Sequence, residues 1–154
     1  MPRAPQAPHR RPVACAPVSA FLSDEWLHDL EVACAGAPVR ASAQADRFVI
    51  EPVVTGVPAR GEVRYRIAFE AGTCAVEVIG DDPRDEGAAD VRLETDYVTA
   101  VALSRGTANA QAALADGRLR VLGDVARLAA HAAALADLDD RFEALRGSTT
   151  YPAP

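Results

Sequence analysis

The side chains in this chain that could do chemistry near neutral pH are few, and their spacing assembles no familiar catalytic machine. The histidines are His9, His28 and His131, with no H-x-x-x-H pair that would set two ring nitrogens on one helix face for a metal. The cysteines are Cys15, Cys34 and Cys74, odd in number and without C-x-x-C spacing, so neither a disulfide framework nor a zinc ribbon is indicated. A nucleophile needs a base within reach, and there is no G-x-S-x-G elbow and no Cys-His signature. Glycines stand singly at turns, which leaves no phosphate-binding loop and no dinucleotide fingerprint, so no cofactor is expected. The densest group of potential ligands is Asp81, Asp82, Asp85 and Glu86, between Gly80 and Gly87. These carboxylates could hold a divalent cation, but they lack the D-x-D-x-D-G spacing and distal Glu of a calcium loop, and such a run is ordinarily a solvated turn. An enzyme compatible with this inventory would be a metal-assisted lyase or isomerase in which His28, His131 or the acids between 81 and 86 converge on a metal.

Composition bounds what those residues can be set in. A chain of 154 residues, 49% hydrophobic, can bury one ordinary core without disulfides or metal. Alanine accounts for 33 residues while aromatics make up 5%, so the helices should pack closely on small side chains. All 16 basic residues are arginine, and the net charge of -6 disfavours a nucleic-acid partner or an anionic membrane surface. The unpaired cysteine count fits a reducing cytoplasm. No apolar run approaches the roughly 18 residues of a membrane span, so no transmembrane segment is expected. Arg10-Arg11 ahead of Pro12 to Leu22 has the outline of a twin-arginine signal, and Val13-Ala14-Cys15 that of a lipoprotein site. The stretch is broken by Pro12 and Pro17 and meets Ser23-Asp24-Glu25, so export is not expected.

Periodicity gives the elements. Residues 1–20, with five prolines and three arginines, read as a disordered tail, followed by one domain over 21–147 and a C-terminal tail over 148–154. Ser23 should cap a helix running to about Gly36, with Leu27, Leu30 and Cys34 as its apolar stripe. Trp26 beside that stripe could line a ligand site, though a lone Trp in this setting is more often packing. Strands are expected over 46–56, 62–71, 73–79, 91–95 and 118–122. In the second, Val63, Tyr65, Ile67 and Phe69 alternate with Arg64, Arg66 and Glu70, the mark of an antiparallel sheet covered on one side. Pro52 removes a ladder donor and argues for an edge strand or a bulge. Asp96 should cap a helix over 97–105 that is apolar on more than one side and therefore buried on most of its surface. Thr107 should cap a short helix over 108–116. From Asp124 a last helix carries Val125, Leu128, Ala132, Leu135, Leu138, Phe142 and Leu145 at threes and fours, with room for a break near Asp137 to Asp140. His131 falls on its apolar side, where a lone His is usually a hydrogen-bonded core residue rather than a ligand contact.

That order of elements, together with Ala89-Asp90-Val91-Arg92-Leu93-Glu94-Thr95-Asp96-Tyr97, Leu103-Ser104-Arg105-Gly106, Ala112-Ala113-Leu114-Ala115-Asp116-Gly117 and above all Gly117-Arg118-Leu119-Arg120-Val121-Leu122-Gly123-Asp124, resembles the sterol carrier protein type 2 family. In that family a G-x-hydrophobic-x-hydrophobic-x-G-D turn leads into the last helix. The resemblance runs from about Phe21 to Leu135. It implies an α+β domain with a five-stranded, mostly antiparallel sheet, helices covering one face, and an apolar tunnel between them that binds a sterol, fatty acid or other lipid without reaction. The inward positions expected to line it are Phe48, Ile50, Tyr65, Ile67, Phe69, Val76, Val91, Leu93, Val101, Leu103, Leu119, Val121, Leu128 and Leu135, each of which plain core packing would explain equally well. The family also includes accessory domains of small-molecule enzymes. With few Met and Phe side chains and an Ala-rich last helix, the slot could instead be closed, leaving a module that engages a partner protein or a second copy.

Overall fold

β-branched and aromatic residues alternating with polar ones build a pleated sheet here, and glycines punctuate it. The computed structural model describes residues 18–35, 38–40, 46–80 and 89–154. His9, Cys15 and the acidic loop at 81–86, with its candidate cation ligands, lie outside the described residues. A short strand β1 (Ser19–Ala20) leads into helix α1 (Asp24–Cys34), and then come β2 (Phe48–Val57), β3 (Gly61–Glu70), β4 (Thr73–Val78) and β5 (Val91–Asp96). Helices α2 (Tyr97–Ser104) and α3 (Ala110–Ala115) precede β6 (Leu119–Gly123), and α4 (Val125–Ala130), α5 (Ala132–Arg146) and β7 (Thr149–Thr150) end the chain. The main sheet has the order β4-β3-β2-β5-β6, antiparallel throughout except for the parallel β2/β5 pair. The architecture is α+β, with Trp26, Leu27 and Leu30 of α1 and Ala134 and Leu138 of α5 joining the inward residues of the sheet in one core. Among the described residues no helix is long and apolar enough to cross a membrane.

Pro52 does not mark an edge: β2 is the central strand. The ladder to β3 pairs Ile50 with Ile67 and Val53 with Arg64 but records no pair at Glu51 or Pro52, so the missing donor leaves a local gap without a slip. The register shift falls later, between Thr55 and Val57, where Gly56 has φ 71°.

The glycine-aspartate turn has a steric cause. Gly123 has φ 108°, and a Cβ there would stand 2.3 Å from the Asp90 carbonyl oxygen. That approach lets the Asp124 N–H donate to the same oxygen at 3.0 Å, while the Asp90 carboxylate accepts from the Val49 N–H at 2.8 Å and from Arg127. Asp90 thereby gathers the ends of β2 and β6 and the start of α4 at one point.

The helices depart from the sequence pattern in two places, the cap of α3 and the break in the last helix. The helix after β5 is buried on most of its surface, as its composition implies: Tyr97, Thr99 and Ala100 are buried, Val101 to Ser104 are half-buried, and Val98 alone is exposed, at 61%. The next helix is capped by Asn109, whose Oδ1 accepts from the N–H groups of Gln111 and Ala112, while the Thr107 hydroxyl donates to the Ala102 carbonyl. The last helix breaks at His131 rather than near Asp137 to Asp140. There the backbone N–H is shared between the Arg127 and Leu128 carbonyls and the ring Nδ1 lies 2.8 Å from the Arg127 oxygen, a side-chain competitor for the helical ladder. The residues after 147 are docked on the domain: β7 pairs in parallel with β1, and Tyr97 donates to the Pro152 carbonyl at 2.9 Å.

Candidate functional site

The inward face of the sheet does not meet its helical cover everywhere. Ile50, Pro52 and Val54 of β2, Tyr65 and Ile67 of β3, Leu93 and Thr95 of β5 and Leu119 of β6 line one side of a cavity of about 510 Å³. The other side comes from Phe21, from Ala100, Leu103 and Ser104 of α2, from the 106–110 connection, and from Leu135, Leu138, Asp139, Phe142 and Arg146 of α5. Strand alternation explains the first wall and the three-four spacing of α5 the second. Gly106, Asn109, Ala110 and Asp139 are exposed as well as lining, which places the mouth between the α2–α3 connection and the last turns of α5. Polar groups collect at that mouth. Arg146 Nε donates to the Ser104 carbonyl, its Nη2 stands 3.9 Å from Asp139 Oδ1, and the Ser104 and Tyr151 hydroxyls share a hydrogen bond of 2.9 Å.

Of the positions expected inward, Ile50, Tyr65, Ile67, Leu93, Leu103, Leu119 and Leu135 stand on the cavity wall. Phe48, Phe69, Val76 and Val91 are buried in the core away from it, and Val101, Val121 and Leu128 are half-buried against that core. Pattern reading passed over Leu138 and Phe142, although both sit on the same helical stripe as Leu135. It also missed the 106–110 connection, which carries no periodicity to read. Trp26 is packing: it is 1% exposed, its ring meets Phe21 and Tyr65 edge-on and stacks on Phe142, and its Nε1 donates to Thr149 Oγ1 at 3.2 Å. His131 is also off the wall, with its ring stacked on Phe48 at 4.2 Å.

Reactive groups are kept quiet. Burial is the main cause that pushes the Cys34 thiol up to about 12, helped by the neighbouring Cys74 and opposed by Arg141, so a thiolate is scarce at neutral pH. Burial also raises the Tyr65 phenol above its ordinary value. His28 lies on exposed α1 surface beside Glu31, at 3.5 Å. Among the described residues no group of three or more His, Cys, Asp or Glu side chains could hold a metal ion.

The outward face differs. Glu51, 1% exposed, accepts from Arg64 Nη2 at 3.0 Å and Arg66 Nε at 3.1 Å, and Arg92 Nη2 stands 3.1 Å from its Oε1. The cluster bridges β2 to both neighbours at the place where the β2/β3 ladder has its gap.

With this geometry in place, comparison with known proteins is specific. The pattern of the SCP-2 sterol transfer family matches residues 41–137, more than half of the chain. The chain belongs to that family. Solved structures share the fold: a crystal structure of sterol carrier protein 2 superposes with a TM-score of 0.61 at 22% identity, covering 79% of this chain and 96% of that one. A Thermus thermophilus protein gives 0.54 at 18% identity over 84% and 92% of the two chains. The sterol carrier protein domain 2 of Helicoverpa armigera gives 0.50 at 21% identity over 77% and 85%. No curated protein matches the sequence. In this SCP-2 domain, the glycine-aspartate turn that carried the resemblance is the Gly123/Asp90 approach, which seats α4 at the end of the sheet.

Proposed function

We propose that this protein binds a sterol, fatty acid or other lipid between its sheet and α5, and carries it without covalent change. The observation that carries the reading is the cavity of about 510 Å³, within the range of small-molecule sites. Apolar walls offer water few hydrogen bonds, so an apolar occupant suits the space better than solvent. Each methylene taken out of water is worth about 0.8 kcal/mol, and roughly ten of them reach the scale of micromolar binding before ordering costs. The ligand's polar end would sit at the mouth, where the Arg146 guanidinium, the Ser104 and Asn109 side chains and Asp139 lie together.

A further feature favours carriage over catalysis. The titratable groups on the wall are Tyr65, Asp139 and Arg146, and burial keeps the Tyr65 phenol protonated. The buried free thiols Cys34 and Cys74 suit a protein working in the cytoplasm. Native mass spectrometry of freshly purified protein tests the reading. The expected spectrum contains a co-purified lipid that a dansyl-labelled fatty acid or a fluorescent sterol displaces. A bare protein that binds neither probe at micromolar concentration overturns it.

A further inference from the structure

Every polar side chain on the cavity wall but one makes a hydrogen bond or an ion pair within the protein. The Thr95 hydroxyl donates to the Arg118 carbonyl at 2.9 Å, and the Ser104 hydroxyl is bonded to that of Tyr151. Asn109 Oδ1 caps α3, and Arg146 is held between the Ser104 carbonyl and Asp139. Tyr65 is the exception. It is 5% exposed and stands on the wall, and among the described residues nothing hydrogen-bonds to its hydroxyl. A buried phenol usually finds a partner, because an O–H taken out of water and left unpaired loses its bonds without replacement. Burial pushes this phenol's pKa upward, so at neutral pH the group remains a donor. It is also remote from the mouth. The mouth lies beside α3, which packs on β6, whereas Tyr65 is on β3, three strands away in the order β3-β2-β5-β6, or roughly 14 Å at about 4.8 Å per strand.

We propose that Tyr65 selects the ligand: its hydroxyl donates to an oxygen within the apolar body of the lipid, a hydroxyl or keto group well removed from the polar end at the mouth. The inference rests on the carrier reading above and narrows it to oxygenated lipids. An unsubstituted alkyl chain lying along the wall would leave the phenol unpaired, whereas a chain oxygen at that depth satisfies it. The same oxygen has no good alternative place nearby, since Ile50, Ile67 and Leu93 around it offer no partner and a polar group buried against them would be penalised. One donor in an apolar surround therefore reads the position of the oxygen along the ligand as well as its presence. A phenylalanine would supply the same ring, with its edge-on contact to Trp26, and would leave no unpaired group, so the hydroxyl is the part that packing does not explain.

The test is displacement of a dansyl-labelled fatty acid from the delipidated full chain by stearic acid and by a positional series of hydroxystearic and oxostearic acids, for the wild type and Tyr65→Phe. At least one substituted acid should bind the wild type about tenfold more tightly than stearic acid does. The variant should lose that preference to within about twofold while holding its affinity for stearic acid. Its melting temperature without ligand should equal or exceed that of the wild type, because no bond within the protein is removed. A fall of several degrees would mean that the hydroxyl already has a partner in the protein, which overturns the proposal. A preference that survives in Tyr65→Phe assigns the selection to another residue and also overturns it. A wild type that binds stearic acid as tightly as every substituted acid overturns oxygen recognition and leaves carriage standing; one that binds none of these acids overturns carriage as well.

Discussion

The two faces of the central sheet use neighbouring residues of the same strand in opposite ways. Ile50 and Pro52 point into an unfilled space, and Glu51 between them is held by three guanidiniums with almost no access to water. The inner face has more apolar surface than the helices cover, and the outer face gathers three guanidiniums on one buried carboxylate. A buried ion cluster adds little net stability compared with apolar packing, but it is costly to break, and this one stitches β2 to β3 and β5 where Pro52 interrupts the ladder. Rigidity supplied from outside in this way leaves the inner face free to keep a hollow. The difference teaches that the hollow need not be a flaw in packing, because the strands that frame it are registered elsewhere.

The comparison can be broken most severely at Glu51. Glu51→Ala removes the buried carboxylate that Arg64, Arg66 and Arg92 share and should cost about 3–5 kcal/mol, a fall of roughly 10 °C in the melting temperature followed by circular dichroism. A shift of a degree or two would mean that the outer face does not brace the sheet. Gly123→Ala attacks the frame at its other end, where a positive φ and the Asp90 carbonyl both oppose a side chain. It should cost about 2–3 kcal/mol, read as a lower urea midpoint with unchanged slope. Leu93→Trp acts on the inner face alone. Filling the hollow should weaken binding of the dansyl-labelled fatty acid at least about tenfold, or roughly 1.4 kcal/mol, without lowering the melting temperature. Marked destabilisation would mean that the space is already occupied by the protein itself.

The smallest effect belongs to neither face. Asp137 on α5 accepts from the Arg40 N–H at 2.7 Å and from its Nε at 2.9 Å, and these bonds, the side-chain one foremost, hold its carboxyl below the usual range. A carboxyl depressed by folding stabilises the protein above its unfolded pKa, and that contribution is lost as pH falls through the lower folded value, here below about pH 4. Asp137→Asn should therefore lower the melting temperature slightly at pH 7, and the gap to the wild type should close as pH falls below about 4, which flattens the acid limb of the profile.

The architecture was legible wherever local signals agreed. Ser23 as a cap, the alternation of Val63 to Phe69 and the Gly117 to Asp124 turn each state a local backbone requirement, and the structure meets them. Pro52 misled because one missing donor constrains a single ladder position, whereas the rank of a strand in a sheet depends on long-range pairing with Val91 to Asp96. The short helix 97–104 was legible as a largely buried element, but periodicity could not tell that Ala100 and Leu103 face a hollow rather than packed side chains. For the candidate site, alternation identifies which side chains face inward, as at Ile50, Ile67 and Leu93. It cannot tell Phe48, packed against Phe69 and His131, from Ile50 on the wall, since that depends on how far α5 stands off the strands. The Arg146, Asp139 and Ser104 grouping was invisible for a related reason: its members come from two helices that only the fold brings together.

The packing of Trp26 has an optical consequence. The chain has a single indole, and it stacks on Phe142 and meets Tyr65 edge-on, two rings whose other sides belong to the hollow. Any guest that nudges those rings changes the surroundings of the only strongly emitting chromophore, so the native molecule carries its own fluorescent gauge of occupancy without a label.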